Sequence, residues 1–97
     1  MPATATDTLF RTRRDVRFRV IDGEAVVLRQ DAAEALVINE VGARILQLLD
    51  GRTPIDRVAD RLMEEYEVGR EEAVGDLREF VADLSNVGIV EPVADGA

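Results

Sequence analysis

Val16-Arg17-Phe18-Arg19-Val20-Ile21-Asp22-Gly23-Glu24-Ala25-Val26-Val27-Leu28-Arg29 is the stretch that decides the fold. Val16, Phe18 and Val20 alternate with Arg17 and Arg19, the period-two pattern of a half-buried strand. Asp22-Gly23 then supplies the residue pair that a two-residue hairpin turn needs, because both central positions take positive φ. Glu24 to Arg29 is the return strand. Gln30 to Ala33 reads as a second turn, and Glu34 to Ile38 as a third short strand built on Ala35, Leu36, Val37 and Ile38. The expected result is a three-stranded antiparallel meander.

Downstream the period lengthens from two to 3.6 residues, and three helices are expected. Asn39 is a good N-cap for the first, which carries Val41, Ile45 and Leu48 on one stripe, widened by Leu46 and Leu49. It should end near Asp50, with Gly51 just past the end. Thr53-Pro54-Ile55-Asp56 opens the second, with Thr53 as cap, Pro54 at the first helical position and Asp56 at the capping-box position. Ile55, Val58, Ala59, Leu62, Met63 and Tyr66 then follow the helical period. The third is expected from about Arg70 to Val87, with Ala73, Leu77, Phe80, Leu84 and Val87 facing the core. Gly88 ends it, and Ile89 and Val90 can pack back as the apolar partner of that cap. The fold class is therefore α+β and winged-helix-like, with a three-stranded antiparallel sheet followed by three α-helices.

The flanks carry less to bury. Residues 1–15 read as a flexible arm rich in Thr, Ala and Arg, residues 16–91 as the folded domain, and residues 92–97 as a C-terminal tail. A chain of 97 residues has room for one core. No apolar run approaches the roughly 20 residues that span a bilayer. The start lacks the apolar centre of a signal peptide, so a cytoplasmic location and no membrane partner are expected.

Composition removes most chemistry. The chain has neither cysteine nor histidine. That excludes disulfides, thiolate metal sites, a cysteine nucleophile, the commonest general base and the usual triad partner. There is no phosphate-binding loop, dinucleotide fingerprint or nucleophile elbow, and Ser85 has no possible histidine partner. Asp56, Asp60 and Glu64 share a helix face, but Arg57 and Arg61 interleave with them, which describes a solvated charged face. No catalytic residue, metal ion or cofactor is expected, and the chain is not read as an enzyme.

Charge is uneven. The net charge is −8, and all of the basic residues are Arg. Most of the acids follow residue 30, including Glu71, Glu72, Asp76, Glu79 and Asp83 on the third helix. At about 100° per residue, Val74, Arg78, Val81 and Ser85 share one flank of that helix, while Asp76, Glu79 and Asp83 occupy another. The acid-free flank either widens the core contact or forms one wall of a groove. Beside such a groove, an open sheet edge would accept an extended peptide.

Four stretches together resemble the PqqD family of RiPP recognition elements. They are the Val16–Leu28 strand pair, Leu36-Val37-Ile38-Asn39-Glu40-Val41-Gly42, Leu48-Leu49-Asp50-Gly51-Arg52-Thr53, and Phe80-Val81-Ala82-Asp83-Leu84-Ser85-Asn86-Val87-Gly88-Ile89-Val90. Ile38 departs conservatively from the Leu expected before the Asn. The resemblance implies three strands packed on three helices. It also implies that the leader segment of a ribosomally made precursor peptide is bound as an extra strand between the third strand and the third helix. Carried onto this sequence, the groove would use Leu36, Val37 and Ile38, with Val74, Arg78 and Val81 opposite. The implied partners are a precursor peptide and a separate modifying enzyme. For pyrroloquinoline quinone biosynthesis that enzyme is a radical SAM protein; other relatives serve lasso peptide and related maturation.

Two other classes compete. A winged-helix DNA-binding regulator would set the third helix in the major groove, where its five acids would meet phosphates, so no nucleic-acid partner is expected. A structural or oligomerisation subunit would use the exposed strand edge to pair two copies, which leaves a homodimer open.

Overall fold

The computed structural model describes residues 8–30 and 34–93. In chain order the elements are β1 (Leu9–Thr12), β2 (Val16–Ile21), β3 (Glu24–Arg29), β4 (Ala35–Ile38), α1 (Glu40–Leu48), β5 (Asp50–Pro54), α2 (Ile55–Glu65), α3 (Arg70–Asn86) and β6 (Val90–Pro92).

The expected meander is present as the sheet β2-β3-β4. Asp22 and Gly23 take φ of 51° and 83°, positive at both positions of the turn. That fixes an unbroken antiparallel register from Val16↔Arg29 to Ile21↔Glu24. β4 continues it from Ala25↔Ile38 to Leu28↔Ala35. Because side chains alternate, Val16, Phe18, Val20, Ala25 and Val27 face the core while Arg17, Arg19, Val26 and Leu28 face outward.

Helix ends follow local chemistry. Asn39 caps α1, its Oδ1 accepting the Gly42 N–H at 2.9 Å. α3 closes with a Schellman arrangement. Gly88 sits at φ 78°, and the Ile89 N–H donates to the Leu84 carbonyl at 2.8 Å. Ile89 and Leu84 are both buried, so the cap also carries an apolar contact. α2 departs from expectation. It begins at Ile55 with Pro54 as N-cap and no capping side chain, because Thr53 is already committed to β5. Asp50, expected at the end of the first helix, instead turns the chain into β5. Its Oδ1 accepts the N–H groups of Arg52 and Thr53 at 2.8 and 3.0 Å.

A second three-stranded sheet, ordered β5-β1-β6, lies outside the expected meander. Its centre is β1, within the stretch read from sequence as an arm. Phe10 is 4% exposed and belongs to the core. Arg11 stands directly opposite Glu91 and pairs with it at 2.9 Å. At the other end, Pro92 belongs to β6, and the Val93 N–H donates to the Leu9 carbonyl at 2.8 Å. The remaining residues expected as arm and tail, 1–7 and 94–97, lie outside the described residues, as does most of the turn expected over residues 30–33.

One core joins the layers. Ala43, Ile45, Leu46 and Leu49 come from α1 and its end, Ile55, Val58, Ala59 and Leu62 from α2, and Ala73, Leu77, Val81 and Leu84 from α3. These pack against Ala25, Val27 and Phe10 from the two sheets. Burying one such large aliphatic or aromatic side chain contributes roughly 1.5–3 kcal/mol.

Candidate functional site

β4 pairs with β3 and, among the described residues, with nothing on its other side. An edge strand offers a row of unpaired N–H and C=O groups to an extended chain lying alongside. α3 stands opposite, and side chains of β4 and α3 come close to each other over Gly42 of α1. A Cβ there would stand 2.3 Å from Ile38 Cγ2, 2.9 Å from Phe80 Cζ and 3.2 Å from Asn39 Oδ1. The end of β4 and the middle of α3 therefore meet over a position that accommodates only hydrogen.

From this junction a cleft runs along α3. One part, of about 280 Å³, lies between Asn39, Val41, Gly42 and Ile45 on one side and Asp76, Glu79, Phe80 and Asp83 on the other. It continues into an apolar hollow of about 200 Å³, which shares Val41, Ile45 and Asp76 and adds Leu62, Tyr66, Val68, Ala73 and Leu77. Towards the C-terminal end of α3, Val87 faces Val27, Arg29, Glu34 and Leu36 across a third recess of about 140 Å³. There the Arg29 guanidinium donates to the Val87 carbonyl and ties β3 to the helix end. From Asp76 to Val87 the helix rises about 16 Å, the length of about five residues of extended chain.

The floor of the cleft is apolar and its rim is acidic. Asp76, Glu79 and Asp83 have no ion-pair partner among the described residues, unlike Glu65, Asp60 and Glu91, which are paired to arginines. The Arg44–Glu65 pair fastens α1 to α2 through two hydrogen bonds of 2.7 and 2.8 Å. Arg44 holds the Glu65 carboxyl below the usual carboxylate range. Among the described residues no group of three or more His, Cys, Asp or Glu is placed to hold a metal ion. None of the described helices is long and apolar enough to cross a membrane.

The sequence-expected groove residues separate into two sets. Leu36 and Ile38 share the inward face of β4, since they stand opposite Val27 and Ala25; Leu36 lines the third recess and Ile38 abuts Gly42. Val37 points to the outer face and is 67% exposed. Val74, Arg78 and Val81 lie elsewhere on α3 and are not among the residues that line the three recesses above. Val81 is fully buried, Val74 packs against the core, and Arg78 is exposed. Two residues along from Arg78, Phe80 lies about 160° round the helix and points towards Gly42. The flank that meets α1 and β4 is thus that of Asp76, Phe80, Asp83 and Val87. Helical spacing sorts residues into flanks but leaves open which flank turns to the sheet. The usable signal was Phe80 and Val87, two large apolar side chains at the border of the acidic flank. Gly42 was missed because a helical glycine reads only as a weak position until its neighbours are known.

The sequence pattern of the family described as coenzyme PQQ synthesis protein D (PqqD) matches residues 24–90, well over half of the chain. The chain belongs to the PqqD family. A PqqA binding protein of Rhizobium meliloti (strain 1021) is 29% identical over 86 residues, spanning 87% of this chain and 86% of that protein. Among solved structures, TbiB1 in complex with the TbiA(beta) leader peptide is 30% identical, with a TM-score of 0.79 over 88% of this chain and 99% of that one. Lasso peptide synthetase B1 complexed with the leader peptide is 31% identical, with a TM-score of 0.77 over 86% and 98%. The PqqD portion of Methylobacterium extorquens PqqCD, described as a functional stand-alone RiPP recognition element, has the same fold at 22% identity and a TM-score of 0.77, over 92% and 95%. The α+β class and the PqqD resemblance read from the sequence both hold.

Proposed function

We propose that this chain is a peptide-binding recognition module for RiPP maturation, and that it holds the leader segment of a precursor peptide as an added strand on the open edge of β4. The leader lies against the Asp76–Phe80–Asp83–Val87 flank of α3 and is presented to a separate modifying enzyme, with no catalytic step on this chain. The observation that carries this reading is the unpaired β4 edge beside a cleft of matching length. In this binding mode, ladder hydrogen bonds supply affinity and pockets for alternate side chains supply selectivity. The recess between Val41, Ile45 and Phe80 and the Leu36–Val87 recess are two such pockets. That TbiB1 and a lasso peptide synthetase B1 are solved with leader peptides bound supports it, as does the PqqA binding relative.

The test is calorimetric titration with leader peptides from short reading frames beside the gene. Saturable binding near micromolar, about −8 kcal/mol, is expected. Leu36→Glu, at an exposed edge position, should abolish it while leaving the melting temperature in place. Failure of the wild-type chain to bind any such peptide, or undiminished binding by the variant, would overturn the reading.

A further inference from the structure

The sheet β2-β3-β4 has a second face that the leader groove does not use. Register places Arg17 opposite Leu28, and Leu28 opposite Ala35; it likewise places Arg19 opposite Val26, and Val26 opposite Val37. These residues share the side of the sheet away from Ala25 and Val27, and no described element covers them. An antiparallel sheet with one solvated face ordinarily carries polar residues there. This one carries apolar residues: Ile21, Leu28 and Val37 are 51%, 52% and 67% exposed. Its charged members are mainly basic, on a chain whose net charge is −8. Among the described residues, Arg17 donates only to the carbonyls of Arg14 and Val16, and Arg19 has no ion-pair or hydrogen-bond partner.

We infer that this outer face docks the peptide-modifying enzyme, through an apolar patch on that enzyme rimmed by carboxylates. The inference rests on the leader-binding reading. A leader added to β4 becomes the fourth strand of the sheet, so every second leader side chain stands level with Val37 and Leu28. The enzyme then meets one continuous surface, part recognition module and part substrate. Size argues the same way. Three strands about 4.8 Å apart and about five residues long give a footprint of roughly 250 Å². That falls short of the roughly 800 Å² per partner of a stable complex. The face suits a transient contact completed by the leader, and is too small to hold two copies of this chain together by itself.

The experiment uses the full chain, a precursor peptide that it binds and the modifying enzyme encoded beside them. Leu28→Glu and Arg19→Glu are made on β3 and β2, away from the β4 edge. Both should keep the wild-type melting temperature and leader affinity. Modification of the leader-bearing precursor at low enzyme concentration should fall about tenfold or more, as expected for a charge set against a complementary patch. Raising the enzyme concentration should restore it, because docking rather than chemistry is impaired. Normal leader binding with undiminished modification would sink the docking face and leave the leader reading intact. Absence of leader binding in the wild-type chain would remove both. A dimer of the chain alone, seen by sedimentation and dissolved by Leu28→Glu, would assign the face to a second copy and overturn the proposal.

Discussion

Gly42→Ala places a methyl group where the cleft is tightest. The new Cβ would fall 2.3 Å from Ile38 Cγ2 and 2.9 Å from Phe80 Cζ. Ordinary carbon–carbon contact is about 3.5–4.0 Å, so the Ile38 methyl must retreat by more than about 1 Å. Ile38 is β-branched and has few alternative rotamers, and it ends a strand tied to Ala25. The retreat therefore moves β4 or Phe80 as well. Overpacking of this kind costs roughly 1–3 kcal/mol. Against it stands the gain of about 1 kcal/mol from replacing glycine within a helix. Gly75→Ala isolates that gain, because nothing lies within 4 Å of a Cβ at position 75; nothing in the structure explains that glycine. The propensity contributions cancel between the two variants, which leaves a stability gap of roughly 1–3 kcal/mol, or at least about 4 °C in a domain of this size. Thermal unfolding followed by circular dichroism should show Gly75→Ala melting above the wild type and Gly42→Ala at or below it. Leader affinity should fall only in Gly42→Ala. If the two alanine variants melt together and bind leader equally, the junction is not the tight point described.

Val81→Glu should abolish the cooperative melting transition, since it sets a carboxylate at a position with 0% exposure among apolar neighbours. A cost above about 4 kcal/mol is expected for an unpaired buried charge, a large share of a typical domain's stability. A folded, merely non-binding variant would mean that Val81 lines the groove after all. Acid should also loosen the fold. The Arg52 N–H, helped by Thr53, holds the Asp50 carboxyl below its ordinary range, and the Arg44 guanidinium does the same for Glu65. Folded values below unfolded ones mean that this stabilisation is complete above the ordinary carboxylate range of about 3.9–4.3. It is lost as pH falls through the lower folded values. Denaturant midpoints should drop below about pH 4, and Asp50→Ala should flatten that drop.

The meander and the three helices were legible because their signals are local. The Val16–Arg29 alternation, the Asp22-Gly23 turn, the Asn39 cap and the Gly88 terminator each lie within a few residues of what they determine. The second sheet was not, because its strands are short and pair across the length of the chain. Asp50-Gly51-Arg52-Thr53-Pro54 has no apolar alternation and reads as a helix stop and restart. Phe10 is a single buried anchor in an otherwise polar stretch. At the site, β4 was legible and α3 only in part. The spacing separated Val74, Arg78 and Val81 from Asp76, Glu79 and Asp83. Which set bordered the cleft depended on Phe80 reaching over Gly42, a contact between residues far apart in sequence.

β1 and β6 lie side by side, with Arg11 bridged to Glu91 across 80 positions of sequence. The central strand of that sheet, β1, is made well before its partner β6. Because a long loop closes only when both ends exist, the β1–β6 pairing waits until Val90–Pro92 have been made. The same proximity brings the entry and exit of the fold to neighbouring points on one surface. A unit built this way can be spliced into a longer polypeptide by a single seam, without stretching its host.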